Sequence, residues 1–213
     1  MKLYGYFRSS AAYRVRIALN LKGLAYEQVA INLVRDEQRS EDSLVRNPQG
    51  LVPVLETDEG RWLTQSLAIC EYLEERHPEP SILPDDLEGR ARVRALSQVV
   101  ASEIHPLNNL RVLKYLTGEL GIEDERKLHW YRHWIHEGFL AMETMLAGAS
   151  ETGNFCHGNV PTLADICLVP QVFNARRFDC DLSDYPTILR IADHCDKLPC
   201  FADARPECQP DSL

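Results

Sequence analysis

The hydrophobic pattern changes character at a proline-rich, charged segment between His77 and Asp86. Before this segment, short apolar runs with strand-like character are separated by helical stretches, and after it only helical periodicity is found. Such a segment is typical of a linker between domains. The sequence therefore predicts an α/β domain over residues 1–80 and an all-helical domain over residues 86–213.

The first domain has the pattern of a small sheet with helices packed against it. Four strands are predicted, over residues 2–7, 26–33, 51–55 and 61–64. One helix follows Ser10 and another opens at Gln65-Ser66, where Ser66 suits the N-cap position. The proline at position 53 suits a strand start or an edge strand, and a cis Val52-Pro53 bond would be one way to place it. The order β-α-β-(α)-β-β-α predicts a thioredoxin-like sheet with helices against it.

Beyond the linker, apolar residues recur with helical spacing in four stretches. The first is a long helix that Pro106 is expected to kink, lined by Val93, Leu96, Val100, Ile104, Leu107 and Leu110. The second is lined by Leu128, Tyr131, Ile135, Met142 and Met145. A third begins at Thr162 and a fourth near Tyr185-Pro186. The polar tail from Pro206 to Leu213 is expected to coil over the surface.

Composition excludes several classes of function. The chain carries 32 acidic and 23 basic residues, a formal charge of −9, so a nucleic-acid partner is not expected. Its N-terminus lacks the apolar stretch of a signal peptide, and no segment approaches the ~20 apolar residues of a membrane helix. We therefore expect a cytoplasmic protein without a membrane partner. Seven cysteines without a C-x-x-C pair predict mostly reduced, partly buried thiols and no zinc site.

Two serines, Ser9 and Ser10, occupy the turn where a thioredoxin-like sheet often carries a C-x-x-C pair. The first 69 residues contain no cysteine, so thiol chemistry at this turn needs a thiol from outside the chain. A helix N-terminus supplies a partial positive charge with amide donors, and a serine hydroxyl can donate to a thiolate. Ionising a thiol of pKa ~8.5 at neutral pH takes a shift of about two units, or ~2.7 kcal/mol, which these groups can supply. The alternative is that both serines only cap the helix.

Two further patterns favour structural roles. Thr162 and Asp165 have the spacing of a capping box, so Asp165 is predicted to stabilise a helix start rather than to take part in catalysis. His129, His133 and His136 have helical spacing but lie opposite the apolar stripe of their helix, with no carboxylate or cysteine beside them. A solvated face is the better interpretation, and no metal site is predicted.

Several motifs, in this order, resemble the zeta class of glutathione transferases, the family of maleylacetoacetate isomerase, over essentially the whole chain. The most specific is Arg8-Ser9-Ser10-x-x-Tyr13-Arg14-Val15-Arg16-Ile17-Ala18-Leu19. Further matches are Asn47-Pro48, Val52-Pro53, Gln65-Ser66-Leu67-Ala68-Ile69, Ala164-Asp165-Ile166-Cys167-Leu168-Val169-Pro170-Gln171-Val172, Asn174-Ala175-x-Arg177-Phe178 and Gln209-Pro210-Asp211. The family usually has S-S-C-x-W-R-V-R, whereas this chain has Ala11 and Tyr13 at the cysteine and tryptophan positions. That departure leaves Ser9 and Ser10 to stabilise the thiolate.

The resemblance implies a glutathione transferase fold, glutathione as the coenzyme and a homodimer. It implies that Val52, presented by cis-Pro53, pairs with the cysteinyl backbone of glutathione. It also implies that Gln65 and Ser66 hold the γ-glutamyl carboxylate at a helix N-terminus. Three further glutathione-binding residues are carried over from the family: Gln38, His105 and Asn109.

The family reaction is the cis-to-trans isomerisation of maleylacetoacetate to fumarylacetoacetate in tyrosine and phenylalanine catabolism. Glutathione thiolate adds to the double bond, the bond rotates while it is single, and the thiolate leaves. Because the substrate is a small dicarboxylate, Arg8 and Arg177 are expected to clamp a carboxylate. Arg14 and Arg16, further along the first helix, are expected to form surface ion pairs.

Two alternatives remain open. One is different chemistry on the same fold: maleylpyruvate isomerisation, or transfer of glutathione to small α-haloacids. Maleylpyruvate isomerases of this family tend to have an arginine where this chain has Leu110 before Arg111, which favours maleylacetoacetate. The other is a glutathione-binding or structural protein that has lost catalysis, against which the intact Arg8, Ser9, Ser10 and Arg177 argue.

Overall fold

The computed structural model describes residues 1–212, which form two compact units. The first unit combines Met1–Ile82 with the C-terminal segment from Lys197, and the second spans Leu83–Asp196. The C-terminal segment thus packs with the α/β unit, whereas the sequence-based boundaries place it with the helical domain.

The first unit contains a four-stranded mixed sheet. Its strands are β1 Lys2–Gly5, β2 Glu27–Ala30, β3 Val54–Glu56 and β4 Trp62–Thr64. The order is β2-β1-β3-β4, with β1 parallel to β2 and antiparallel to β3, and β3 antiparallel to β4. This is the predicted thioredoxin-like topology, with shorter strands. The Val52-Pro53 bond is cis, as considered from the sequence.

Three helices accompany the sheet: α1 Ser10–Leu21, α2 Glu41–Arg46 and α3 Ser66–Arg76, with a 3-10 turn at Glu37–Arg39. Every side chain of α1 from Ser10 to Leu19 is buried. The prediction that Arg14 and Arg16 form surface ion pairs is therefore wrong, because they are only 2% and 1% exposed. Both arginines are buried because α1 packs against α3 and against the short helix α9, Pro199–Ala202.

The C-terminal tail does not simply coil over the surface, as the sequence suggested. Within it Pro206 and Gln209 are buried, and a 3-10 turn spans Pro206–Cys208. The Gln209 side-chain amide donates to the carbonyls of Asp203 and Arg205, at 2.8 and 2.7 Å. Leu213, the last residue of the predicted coil, lies outside the described residues.

The second unit is helical throughout. Its helices are α4 Leu87–Gln98, α5 Leu110–Gly118, α6 Asp124–Ala147, α7 Leu163–Arg177 and α8 Pro186–Cys195. The single long helix expected over residues 93–110 is wrong: α4 passes into a π-helical segment, Val99–Ile104, and a turn precedes α5. Pro106 has no N–H for a helical bond, so the helix ends near it instead of bending. The buried stripe of α6 ends at Leu146, while Met145 is 40% exposed.

Within residues 1–212, no helix combines the length and apolar character that crossing a membrane requires.

Candidate active site

Ser9 and Ser10 stand at the start of α1, as predicted. Ser9 is the N-cap, with φ −70° and ψ 116°, and its Oγ accepts a hydrogen bond from the amide of Ala12 at 3.2 Å. Ser10 is the first helical residue and is buried. Capping and function are compatible here, because a hydroxyl that accepts a bond keeps its own hydrogen to donate. A thiolate at this end of α1 would meet that donor together with the positive end of the helix dipole.

The turn that carries the serines is held through the peptide groups of Phe7. The Phe7 amide donates to Asp211 Oδ2, and the Phe7 carbonyl accepts from Arg16 Nη2, both at 3.0 Å. Arg16 Nε also donates to the carbonyl of Ala204 at 2.9 Å. Burial lowers the pKa of Arg16 to about 10, so the guanidinium remains charged at neutral pH. The sequence analysis missed these two supports, although the Gln209-Pro210-Asp211 motif was a signal for one of them.

Arg8 is the exposed cation of this turn. Its Nη2 donates to the hydroxyl of Tyr6 at 2.9 Å, and its guanidinium carbon lies 4.7 Å from the centre of the Phe7 ring. Aromatic contacts orient this side chain without neutralising its charge. Among the described residues no carboxylate pairs with Arg8, so its charge is available to an anionic ligand.

The start of α3 is built differently from the prediction. Gln65, not Ser66, is the N-cap residue, and it has φ 68° and ψ 112°, a backbone conformation that side chains rarely adopt. The Gln65 side chain makes no capping bond and instead donates to Gln49 Oε1 at 2.8 Å. Ser66 is the first helical residue, and its Oγ accepts from Arg14 Nη1 at 3.2 Å. The first turn of α3 therefore presents its amides without a side-chain cap.

The sheet brings three predicted segments to one edge. In the register of the strands, Tyr4 pairs with Val54 and Val54 pairs with Thr64. The end of β1, the start of β3 and the end of β4 therefore lie side by side. The turn to Ser9, the Val52-Pro53 bond and Gln65-Ser66 are the segments that adjoin those ends. The topology gathers them as an active site requires.

Val52 and Gln38 offer polar groups that the described residues do not use. Val52 is half-buried, and neither its N–H nor its carbonyl makes a hydrogen bond within residues 1–212. Gln38 is buried, and its amide nitrogen donates to Asp36 Oδ1 at 3.1 Å. Its Oε1 has no partner in the part of the chain described. Buried polar atoms without partners are uncommon in proteins, so Gln38 Oε1 marks a place where a bound molecule or an ordered water would pair.

The remaining predicted residues lie in the second unit. His105 follows the π-helical segment, and its amide donates to the carbonyl of Val100 at 2.9 Å. Asn109 is the N-cap of α5, where its Oδ1 accepts from the amide of Arg111 at 3.1 Å. The side-chain oxygen of Asn109 thus caps the helix, and the side-chain amide nitrogen is the group left to contact a ligand.

Arg177 ends α7 beside a residue of the same type with different contacts. Arg176 pairs with Asp193 at 2.7 Å and with Asp196 at 3.7 Å. The Arg177 guanidinium carbon instead lies 4.9 Å from the centre of the Phe178 ring. Burial raises the pKa of Tyr131, and the nearby positive charge of Arg177 acts in the opposite direction. Arg176 is therefore a surface ion-pair residue.

The start of α7 carries the predicted capping box between Thr162 and Asp165. Asp165 Oδ2 accepts from the amide and the hydroxyl of Thr162, at 2.8 and 2.7 Å, and Oδ1 accepts from the amide of Cys156 at 2.8 Å. Burial raises the pKa of the Asp165 carboxyl, while these donors act to lower it. Each of these contacts of Asp165 serves the fold.

The three histidines of α6 lie on its exposed face, as predicted, and Nδ1 of His136 contacts the hydroxyl of Tyr185. Over residues 1–212 no group of three or more histidine, cysteine or acidic side chains is arranged to hold a metal ion. All seven cysteines are free thiols, and four of them are buried.

Comparison with known proteins agrees with this geometry. The family model described as "Glutathione S-transferase, N-terminal domain" matches residues 3–81. The chain is 52% identical to a probable maleylacetoacetate isomerase of Vibrio cholerae, over 99% of this chain and 97% of that protein. Among solved structures, a holo maleylpyruvate isomerase described as a bacterial zeta-class glutathione S-transferase superposes with a TM-score of 0.98, at 46% identity and full coverage of both chains. A maleylacetoacetate isomerase from Methylobacterium extorquens AM1, solved with malonate and glutathione bound, superposes with a TM-score of 0.97 at 43% identity, again over the whole of both chains.

The α/β unit without a protein thiol at its active turn, joined to a helical unit, is the glutathione transferase fold. With these identities over its full length, the chain belongs to the zeta class of the glutathione S-transferase family, which includes the maleylacetoacetate isomerases.

Proposed function

We propose that this protein is a glutathione-dependent cis-trans isomerase that converts maleylacetoacetate into fumarylacetoacetate in tyrosine and phenylalanine catabolism. The observation that carries the proposal is the Ser9-Ser10 helix start, placed at one sheet edge with two unused recognition points, Val52 and the start of α3. The similarity to a probable maleylacetoacetate isomerase over nearly the whole chain supports the same substrate.

The residues of this edge fit glutathione as the coenzyme. The free N–H and C=O of Val52 suit pairing with the backbone of the cysteinyl residue, as one strand pairs with another. The uncapped amides of α3, with Gln65 and Ser66, suit the γ-glutamyl carboxylate. Gln38, with its unpartnered Oε1, is a further proposed contact, and so are His105 and Asn109 of the second unit.

Ser9 and Ser10 would hold the sulfur in its ionised form. Bound glutathione supplies the thiol that adds to the substrate double bond and leaves after rotation. The Ser9 hydroxyl donates to the sulfur while its oxygen keeps the capping bond from Ala12. About two units of pKa lowering, ~2.7 kcal/mol, is the size that one charge-assisted hydrogen bond and a helix N-terminus supply together. Because position 11 is alanine, no protein thiol competes with this sulfur.

Arg8 and Arg177 are the proposed cations for the carboxylates of the small dicarboxylate substrate. Arg8 has no acidic partner in the described part of the chain, and the Arg177 guanidinium carbon lies 4.9 Å from the centre of the Phe178 ring. Guanidinium groups suit this task, because they bind carboxylates with two parallel hydrogen bonds. We also propose a cytoplasmic homodimer, which the family resemblance supports.

Maleylpyruvate isomerisation is the second candidate, favoured by the structural similarity to a maleylpyruvate isomerase. An assay of both acids, with and without glutathione, separates the candidates. We expect turnover of maleylacetoacetate to exceed that of maleylpyruvate and to require glutathione. Turnover without glutathione would contradict the mechanism, and glutathione binding without turnover of either acid would indicate a protein that has lost catalysis.

Variants with matched controls test the residue roles in the same assay. Ser9→Ala is compared with Ser40→Ala, because Ser40 caps α2 in the same way, outside the site. We expect kcat to fall about 100-fold for Ser9→Ala and to stay unchanged for Ser40→Ala. Ser10→Ala is assayed beside them to establish which serine contributes more. Arg177→Ala should raise KM for the acid about tenfold or more, whereas Arg176→Ala should not.

A further inference from the structure

Arg14 is a buried cation without a counter-ion among the described residues. It is 2% exposed, and its one hydrogen bond is the 3.2 Å donation from Nη1 to Ser66 Oγ. Its Nε and Nη2 are buried and make no hydrogen bond within residues 1–212. A buried charge is normally paired, because removal from water strongly disfavours the ionised form. A counter-ion for Arg14 would therefore have to come from a bound molecule.

The other two buried cations of the same region show what a satisfied site looks like. Arg16 donates to the carbonyls of Phe7 and Ala204. Lys22 pairs with Glu74 at 2.8 Å and also donates to the carbonyls of His77 and Pro80. Arg14 differs from both, although it lies on the same helix as Arg16. Buried cations of this fold can therefore have partners, and the lack of them is specific to the position of Arg14.

The position of Arg14 points to an anion. Its guanidinium contacts the first residue of α3, a helix of 11 residues whose N-terminus has no side-chain cap. The positive end of the α3 dipole and the Arg14 charge thus lie side by side, and over residues 1–212 no acidic side chain pairs with Arg14 or lies in the first turn of α3. Two adjacent positive groups repel one another in the free protein, and a bound carboxylate removes that repulsion.

We propose that Arg14 is a positioning residue that provides the counter-charge for the γ-glutamyl α-carboxylate of glutathione. This inference rests on the proposed function and deepens it. Because Ser66 Oγ accepts from Arg14, the Ser66 hydroxyl hydrogen is directed away from Arg14 and toward the ligand carboxylate. Arg14 acts through that hydroxyl and through its own field, which is weakly screened because the side chain is buried.

A double-mutant cycle between the protein and the ligand tests the proposal. Calorimetry would measure the affinities of glutathione and of γ-aminobutyryl-cysteinyl-glycine, which lacks only the α-carboxylate in question. Both ligands are titrated into the wild type, Arg14→Met, Arg14→Lys and Arg16→Met. The wild type should prefer glutathione, and Arg14→Met should reduce that preference about tenfold or more, which is ~1.4 kcal/mol of coupling. Arg14→Lys, which keeps the charge, should retain most of the preference.

The controls separate this role from a merely structural one. Arg16→Met removes an equally buried arginine of the same helix and should leave the preference for glutathione unchanged, even if both affinities fall. An equal loss of affinity for both ligands in Arg14→Met would overturn the proposal while leaving the proposed function intact. If Arg14→Met does not fold, Arg14→Gln removes the charge in its place: a reduced preference in that variant would support the proposal, and a preference equal to that of the wild type would overturn it. Failure of the wild type to bind glutathione at all would contradict the proposed function itself.

Discussion

Two helix starts in this chain differ in whether a side chain of the protein satisfies the backbone amides of the first turn. At the start of α7, the carboxylate of Asp165 satisfies the amide of Thr162 and that of Cys156, so the positive end of the helix meets an anion of the chain itself. At the start of α3, Gln65 provides no capping bond, and the first helical residue, Ser66, accepts a hydrogen bond from the cation Arg14. We call the start of α7 closed, because a side chain caps it, and the start of α3 open, because it has no side-chain cap and its N-cap residue Gln65 has a strained backbone.

A closed helix start serves the stability of the fold, whereas an open one is suited to binding an anion. A closed helix start contributes to the free energy of unfolding and offers a ligand nothing, because its donors are already used. An open start is costly in the free protein and gains when an anion binds. We therefore expect substitutions at the two ends to affect different measurements.

The largest expected effect is at the closed end. Asp165→Ala should lower the free energy of unfolding by about 3–5 kcal/mol, because two buried amides lose their acceptor. Asp124→Ala is the matched control, since Asp124 also lies in the first turn of a helix but is exposed. It should change stability by less than about 0.5 kcal/mol. Denaturant unfolding measures both, and a small loss in Asp165→Ala would contradict the structural role.

A second substitution compares a partnered buried cation with Arg14. Glu74→Gln should lower the free energy of unfolding by about 3 kcal/mol at neutral pH, because Lys22 loses its buried carboxylate partner. Arg14→Met should leave the stability of the free protein unchanged or raise it, since an unpaired buried charge is replaced by an apolar side chain. A loss in Arg14→Met as large as that in Glu74→Gln would mean that Arg14 serves the fold.

The same ion pair predicts the dependence of stability on pH. Burial raises the pKa of Glu74, but hydrogen bonds from Lys22, Ser81 and the amide of Ile82 outweigh burial, and the pKa is lowered from 4.5. A lowered carboxyl pKa contributes stability above its ordinary value, and the contribution is lost as pH falls through the lowered pKa. From about pH 7 to about pH 3, the wild type should therefore lose more stability than Glu74→Gln does. Parallel acid profiles for the two proteins would contradict this account of Glu74.

At the open end, Ser66→Ala should weaken glutathione binding about tenfold, ~1.4 kcal/mol, because the carboxylate loses a hydroxyl donor. The free energy of unfolding should change by less than about 1 kcal/mol. Calorimetric titration and denaturant unfolding provide the two values. Ser40→Ala is again the control, and a stability loss without an affinity loss in Ser66→Ala would reverse the comparison.

The smallest expected effect concerns the support of the active turn. Asp211→Asn keeps one acceptor oxygen for the Phe7 amide but loses its charge, so we expect a loss of about 1 kcal/mol in stability. A looser turn should lower kcat about threefold without changing the affinity for glutathione. Glu207→Gln, in the same tail and exposed, is the control for charge, and equal effects in both variants would exclude a specific role for Asp211.

Local patterns predicted much of this molecule. The order of strands and helices in the first unit, the capping box and the serine turn follow from short stretches of sequence, and the structure contains all three. Burial of Arg14 and Arg16 did not follow, because it depends on α3 and α9, which reach α1 from distant parts of the chain. The hydrogen bond from the Phe7 amide to Asp211 could not be predicted either, because the two residues are 204 positions apart in the chain. The end of the helix after Ile104 was missed because the apolar spacing continues past it to Leu110.

In the proposed mechanism, Ser9 and the start of α1 ionise a thiol that the chain does not supply at this turn. The direct measurement is the pH titration of the sulfur of bound glutathione, followed by the ultraviolet absorbance of the thiolate, in the wild type and in Ser9→Ala. We predict a pKa about two units below the ordinary value of ~8.5 in the wild type, and a return of at least about one unit toward that value in Ser9→Ala. An unshifted pKa in the wild type, or an equal shift in both proteins, would contradict the account.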